Sequence, residues 1–347
     1  MIRTTVLTVL LTIGLLTSDD QANAQRRFIE LEISTSPRAP LGSQQEWNML
    51  LNDVGADRVR LRTAGSAKVK VVESESSGLS RIKILGAIQD RKLVLPGKSF
   101  SARDKAMLRE YIQQLRDDGA NIALADKKAF GLTSQQLVDL NGQLSKKLEL
   151  TTKGQTAAEV LQKVRRQLPV DFETDLAAKQ ALKRSEPILD ELEGLSIGTA
   201  MAAIMRPLGL VVAPTRERGA KTKLLITDFR KAEEHWPVGW PTQDIPLRSV
   251  PDLLEKFPIE VRDFPLGQVI QAIQAKSEVP MLLDHNSIAR ADIDLSTSQV
   301  TLIKKNASYL HALGKVLNQT KPKMKYEIRA DENGKSFLWL TTLRAGR

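Results

Sequence analysis

Four apolar residues, Ala157, Val160, Leu161 and Val164, fall at i, i+3, i+4 and i+7, the spacing that lines one face of a helix. Leu266, Val269, Ile270 and Ile273 repeat it at a shift of 109 residues. Further on, Ile197, Met201, Ile204 and Met205 match Tyr309, Leu313, Val316 and Leu317 at a shift of 112. The segments around these helices recur in the same order. "KLELT" and "IEVRD" alternate as strands before the first helix, and "PVDFETD" and "VPMLLDH" follow it. "PILDELEG" and "QVTLIKKN" precede the second helix, and "LLIT" and "LWLT" close each copy. Each copy therefore reads as βαββαβ, with the last strand in a hairpin. In the second copy Asn333-Gly334 suits a tight type I′ turn.

Residues 25 to 145 show no third copy. Trp47, Leu50, Leu51 and Val54 predict one amphipathic helix, and Leu108, Tyr111, Ile112 and Leu115 another, started by Ser101 with Asp104 three residues on. Strands are expected at "FIELEI", "RVRLR", "KVKVV", "RIKIL" and "KLVLP". The expected fold class is α+β, with an N-terminal mixed α+β domain (25–145), a first βαββαβ module (146–228), a linker rich in proline and tryptophan (229–257) and a second βαββαβ module (258–343).

The first 24 residues follow a different rule. Arg3 precedes an apolar run from Val6 to Leu16, and Ala22-Asn23-Ala24 offers small residues where an export peptidase reads, so cleavage is expected between Ala24 and Gln25. The run is shorter than the roughly 20 residues of a spanning helix. No transmembrane segment is expected in the mature chain, which should be exported to the periplasm or beyond. The 347 residues contain no cysteine, so stability must come from core burial, and thiol chemistry is excluded. A net charge of +10 points to an anionic partner, and outside the cytoplasm an acidic envelope polymer fits that better than nucleic acid. No basic run interleaves with stacking aromatics, as single-strand binders require, so no nucleic-acid partner is expected.

The second copy resembles the short N-terminal domains of secretins and TonB-dependent transducers. The residues that carry the likeness are "IEVRDF", "PLGQVIQAI", "VPMLLD", "VTLIKKN", "SYLHALGKVL" and "FLWLTT". The first copy is a looser version, with an expected insertion around Ala177 to Arg184. The whole chain, including "RKLVLPGKSFSARDKAML", also looks like exported proteins of planctomycete bacteria. In the secretin and TonB family such modules make protein contacts in the periplasm, stacking into rings or receiving a regulator. The resemblance thus implies a protein–protein interaction module and allows a homo-oligomer. With neither a pore-forming secretin domain nor a barrel among these residues, it implies no channel and no receptor.

Candidate chemistry is sparse. "GLSIG", Gly194 to Gly198, matches the G-x-S-x-G of a nucleophile elbow, which would make Ser196 the nucleophile of a cryptic serine hydrolase. Ser308 occupies the equivalent position without the glycines, so a helix N-cap explains both serines. His235, His285 and His311 share no metal-binding spacing, and no glycine-rich phosphate loop is present. No catalytic residue, metal or cofactor is expected, and the chain reads as non-enzymatic.

Two constellations remain as candidate binding sites. Period two puts Arg58, Arg60, Arg62, Lys68, Lys70, Arg81 and Lys83 on one face of the N-terminal strands, where they either bind an acidic polysaccharide or are neutralised by Glu30 and Glu32. In "EEHWPVGWPTQDIP", Trp236 and Trp240 would face the same way in an extended chain, roughly 13 Å apart. They would either stack on sugar rings or be buried against the adjoining modules.

Overall fold

The computed structural model describes residues 27–35, 41–63, 68–76, 79–242 and 244–343. The expected export segment and its cleavage point at Ala24 and Gln25 lie outside these residues. The fold is α+β, in two compact units, Met1–Leu124 and Ala125–Arg347.

The first unit contains β1 (Phe28–Thr35), α1 (Leu41–Asn52), β2 (Arg58–Thr63), β3 (Lys70–Ser76), β4 (Leu79–Gln89), β5 (Lys92–Leu95), β6 (Lys98–Phe100), α2 (Lys105–Asp118) and the short α3 (Ala120–Ala123). The sheet runs β2-β1-β4-β5-β6, with β3 also paired to β4. Strand β1 is parallel to both β2 and β4. That geometry needs a crossover, which α1 supplies between β1 and β2. Ile29, Leu31, Ile33, Ile82 and Ile84 form the inner face against Trp47 and Leu51 of α1 and Leu108, Ile112 and Leu115 of α2. Helix α2 begins at Lys105 rather than directly after Ser101. Asp104 is its N-cap residue, and the carboxylate reaches back to accept from the Ser101 amide at 2.7 Å.

The second unit begins with α4 (Ser134–Leu144), followed by α5 (Ala157–Gln167), β7 (Phe172–Thr174), α6 (Leu176–Lys183), α7 (Ile197–Met205), β8 (Leu210–Thr215) and β9 (Lys223–Asp228). The stretch between the copies holds β10 (Trp240–Pro241) and α8 (Pro246–Ser249). The second copy is β11 (Lys256–Pro265), α9 (Leu266–Gln274), β12 (Met281–Leu283), α10 (His285–Arg290), β13 (Gln299–Ser308), α11 (Tyr309–Leu317), β14 (Met324–Ala330) and β15 (Ser336–Thr342). The first unit ends at Leu124, whereas the sequence placed its boundary after residue 145. The reason is α4, whose Leu140 and Leu144 are buried in the same core as Val160 and Met201.

The repeat extends to hydrogen-bond register. Strands β11 and β13 pair from Lys256↔Ser308 to Pro265↔Gln299. The first copy keeps only the two ends of that ladder, as the isolated bridges Lys147↔Ser196 and Thr156↔Pro187, at the same shifts of 109 and 112. "KLELT" and "PILDELEG" therefore do not form the expected strands. Thr152 interrupts them: its hydroxyl donates to the Asp190 carbonyl and accepts from the Leu192 amide. The segment around Ala177 to Arg184 is not an insertion either, because α6 corresponds to α10 at a shift of 109. Each copy closes with an antiparallel hairpin, β8–β9 and β14–β15, and β7 or β12 pairs in parallel with its last strand.

The cores of the two copies meet at β15. In β15, Leu338 and Leu340 join the core of the second copy, while Phe337 and Trp339 on the opposite face join that of the first. Helix α7 lies in this joint and is buried from Ile197 to Ala202. The stretch between the copies is not a spacer: Trp236 and Val238 are buried in the joint, and β10 adds a strand to the edge of β14.

Candidate functional site

Around the apolar contact at β15, polar groups reach across the joint. The turn between β14 and β15 docks on the start of α7. Asp331 accepts from the Ser196 amide at 2.9 Å, Glu332 accepts from the Thr199 hydroxyl at 2.8 Å, and the Lys335 ammonium donates to the Gly194 carbonyl at 3.1 Å. A carboxylate at a helix N-terminus is favoured by the unpaired amides and the helix dipole. The turn is not the expected type I′. The Gly334 amide donates to the Asp331 carbonyl, and of the turn residues only Gly334 is left-handed, with φ 80°. This is a three-residue loop ending in a glycine bulge.

Those contacts place "GLSIG" in the joint. Ser196 sits at the N-cap of α7 in ordinary extended geometry, is 0% exposed, and does not cap the helix with its side chain. Its hydroxyl instead accepts from the Asn333 side-chain Nδ2 at 3.2 Å. An elbow nucleophile needs an exposed hydroxyl on a strained turn. Ser308, in contrast, does cap, accepting from the His311 amide. A Cβ on Gly198 would lie 2.1 Å from Glu332 Oε1, so that glycine is required by close approach across the joint.

Trp236 is buried, stacks on Phe130 with ring centroids 5.8 Å apart, and donates from Nε1 to Glu332 Oε1 at 2.6 Å. Trp240 is 37% exposed and meets Trp236 edge to face at 5.5 Å. The extended spacing expected from sequence is lost because the chain turns at Gly239, φ 61°. The two rings do not form an open platform.

A second set of contacts joins the end of α7 to α10. Asp284, 1% exposed, takes both Arg206 nitrogens at 3.0 and 3.2 Å and the Thr341 hydroxyl at 2.9 Å. Burial raises the Asp284 carboxyl, but Arg206 and these donors outweigh it and leave the pKa below the ordinary carboxylate value. His285 Nε2 lies 2.8 Å from Asp190 of the first copy. Burial disfavours the imidazolium, yet Asp190 and the neighbouring Asp284 prevail and hold its pKa above 6.5. Burial dominates at Glu332, whose pKa is raised despite the Trp236 and Thr199 donors.

The His285–Asp190 pair stands between two hollows. One, of about 330 Å³, is walled by Ile188, Leu192, Ile204 and Leu208. The other, of about 660 Å³, is lined by Gln268, Gln271 and Gln274 of α9 together with Met281 and Leu283. Both share Leu189, Asp190 and His285, so they form one groove over the joint. Nothing in the sequence marked it, because its walls come from segments as far apart as Lys153 and Ser296. The unbroken apolar runs "FLWL" in β15 and "AMAAIM" in α7 were the available signals that these elements are covered on more than one side.

The basic face of the N-terminal sheet is assembled largely as read. Arg58, Arg60 and Arg62 on β2, Arg81 and Lys83 on β4 and Lys70 on β3 share the face opposite the core. Lys68 lies before β3, outside the ladder. Glu30 and Glu32 stand between the cations on β1. Glu32 pairs with Lys83 at 2.7 Å and Arg62 at 3.1 Å, and Glu30 with Arg60 at 3.7 Å. The Lys83 hydrogen bond keeps the Glu32 pKa below its ordinary value.

Among the described residues, no group of three or more histidine, aspartate or glutamate side chains converges as a metal site would, and no helix is long and apolar enough to cross a membrane. Comparison with family models, with curated proteins and with solved structures finds no match to this chain.

Proposed function

We propose that this chain is an exported, non-enzymatic protein of the cell envelope that works by contact with another protein, and that the contact is made in the groove over the module joint. Export rests on the character of the first 24 residues. The groove carries the rest of the reading. Gln268, Gln271 and Gln274 fall at i, i+3 and i+6 on α9 and offer amide donors and acceptors to a partner's backbone. Beside them Leu189, 68% exposed, with the partly buried Leu283 offers apolar contact to its side chains. Interfaces of this kind combine an apolar centre with a polar rim.

The test is photo-crosslinking in envelope extract, with a photoreactive residue placed at Leu189, at Gln271, or at Val138, an exposed position on α4 away from the groove lining. The same defined partner should be captured from Leu189 and Gln271 and not from Val138. Capture of no defined species from the groove, or of the same species from all three positions, overturns the reading.

A further inference from the structure

The open face of the N-terminal sheet carries more positive charge than its own residues neutralise. Across the strands the register sets Arg58, Glu30, Lys83 and Val72 in one row and Arg60, Glu32, Leu85 and Lys70 in the next. Arg81 stands beside Phe28 in the row before, and Arg62 beside Ser34 in the row after. Six cations thus face two carboxylates, a surplus of four. Both glutamates are sunk between the strands of cations, with Glu30 5% exposed. The side chains of Arg62 and Lys83 remain 56% and 40% exposed although paired. Arg58, Lys70 and Arg81 have no ion pair among the described residues, and Arg81 lies over the Phe28 ring at 5.4 Å.

Elsewhere in the same chain several strand cations stand beside an acid. In β14, Glu327 stands between Lys325 and Arg329 and pairs with both at 2.7 Å. In β11, Glu260 pairs with Arg262. In β9, Lys223 is held by Glu173 and Glu217. Strand β2, with the sequence RVRLRT, contains no acid. Like charges on neighbouring sheet positions are unfavourable by about 0.2 to 1 kcal/mol per pair. What sets this face apart is the clustering: a surplus of four cations on one sheet surface, which a counter-charge from outside the chain would relieve.

The arrangement also indicates what brings that charge. β2 is an edge strand, and alternate residues of a strand project to the same side about 6.7 Å apart, so Arg58, Arg60 and Arg62 form an evenly stepped rail. A rail of constant step suits a linear polymer that repeats its charge, and guanidinium groups match carboxylates with two parallel hydrogen bonds. Single-stranded nucleic acid needs aromatic platforms, and the one aromatic ring on this face, Phe28, is covered by Arg81. We infer that the open face of β2, β1, β4 and β3 is a docking surface for a linear acidic polysaccharide carrying carboxylates, which lies along the β2 rail. This surface is independent of the groove in the other unit, so either reading can fail alone.

The experiment measures binding of polygalacturonate to the full chain over a salt series. The double variant Arg58→Gln/Lys70→Gln removes two cations that hold no ion pair among the described residues, and Lys304→Gln/Lys305→Gln removes the same charge from exposed positions on β13. Unchanged thermal midpoints verify folding. The expected result is binding that weakens as salt rises, a loss of about tenfold in the first variant with a shallower salt dependence, and no such loss in the second. Absence of binding at low salt, equal loss in both variants, or equal affinity for polyglutamate or single-stranded DNA overturns the inference.

Discussion

The indole Nε1 of Trp236 donates a 2.6 Å hydrogen bond to Glu332, a residue 96 positions later, and so ties the stretch between the two copies to the hairpin turn of the second. The same carboxylate accepts from Thr199 on α7. One acidic side chain thereby joins three segments. Trp236→Phe would leave a buried carboxylate short of a donor, which costs about 1 to 3 kcal/mol. Denaturant unfolding should show that loss, and Glu332→Gln, which keeps an acceptor without the charge, should lose less at alkaline pH.

Two groups at this joint titrate in the same direction. The His285 pKa is raised above 6.5 and that of Glu332 above 4.5. In each case the folded state binds the proton more tightly than the unfolded chain, so the contribution is full at low pH and is lost as pH rises through the folded value. Asp284, Asp175 and Glu191 are shifted downward, so their contributions are lost only in stronger acid. The thermal midpoint should therefore fall as pH rises past the ordinary carboxylate range and again past the ordinary imidazole range. The double variant His285→Gln/Glu332→Gln should flatten that slope, and a slope unchanged in the variant would refute the assignment.

Gly198 tests the close approach. Alanine normally favours a helix interior over glycine by about 1 kcal/mol. Here its Cβ would fall 2.7 Å from Trp236 Nε1 and nearer still to Glu332. Gly198→Ala should therefore destabilise the protein by about 1 to 3 kcal/mol, as overpacking does. Gly142→Ala in α4, where nothing lies within 4 Å of the added carbon, should be neutral or stabilising in the same unfolding assay.

Of the four tryptophans, Trp47, Trp236 and Trp339 are buried and Trp240 is half-buried. Acrylamide should quench a minor part of the native fluorescence, and Trp240→Phe should abolish most of that part. Extensive quenching left in the Trp240→Phe protein would mean that Trp236 is open to solvent.

Much of the unit-level architecture was legible. The apolar spacings gave the two pairs of recurrent helices, and the strand register repeats at the same shifts of 109 and 112. The basic residues of the N-terminal strands were read onto one face, and Glu30 and Glu32 do lie among them. Other features had no local signal. Thr152 breaks a ladder through hydrogen bonds to residues about forty positions away, and α6 was mistaken for an insertion because its counterpart α10 is shorter. The groove carries no motif, since His285 and Asp190 meet only when the copies pack.

Which side chains share a face follows from local spacing alone, because helix and strand periods are properties of the backbone. That spacing thus gave the repeat, the core stripe of each helix and the basic rail. Only the tertiary structure decided what covers each face. In β15 the period of two separates Phe337 and Trp339 from Leu338 and Leu340, and packing assigns the pairs to different cores. Ser196, Gly198, Trp236 and His285 owe their surroundings to the other copy or to the stretch between the copies. Burial and hydrogen-bond pairing depend on which distant segments meet, and local spacing carries no record of that meeting.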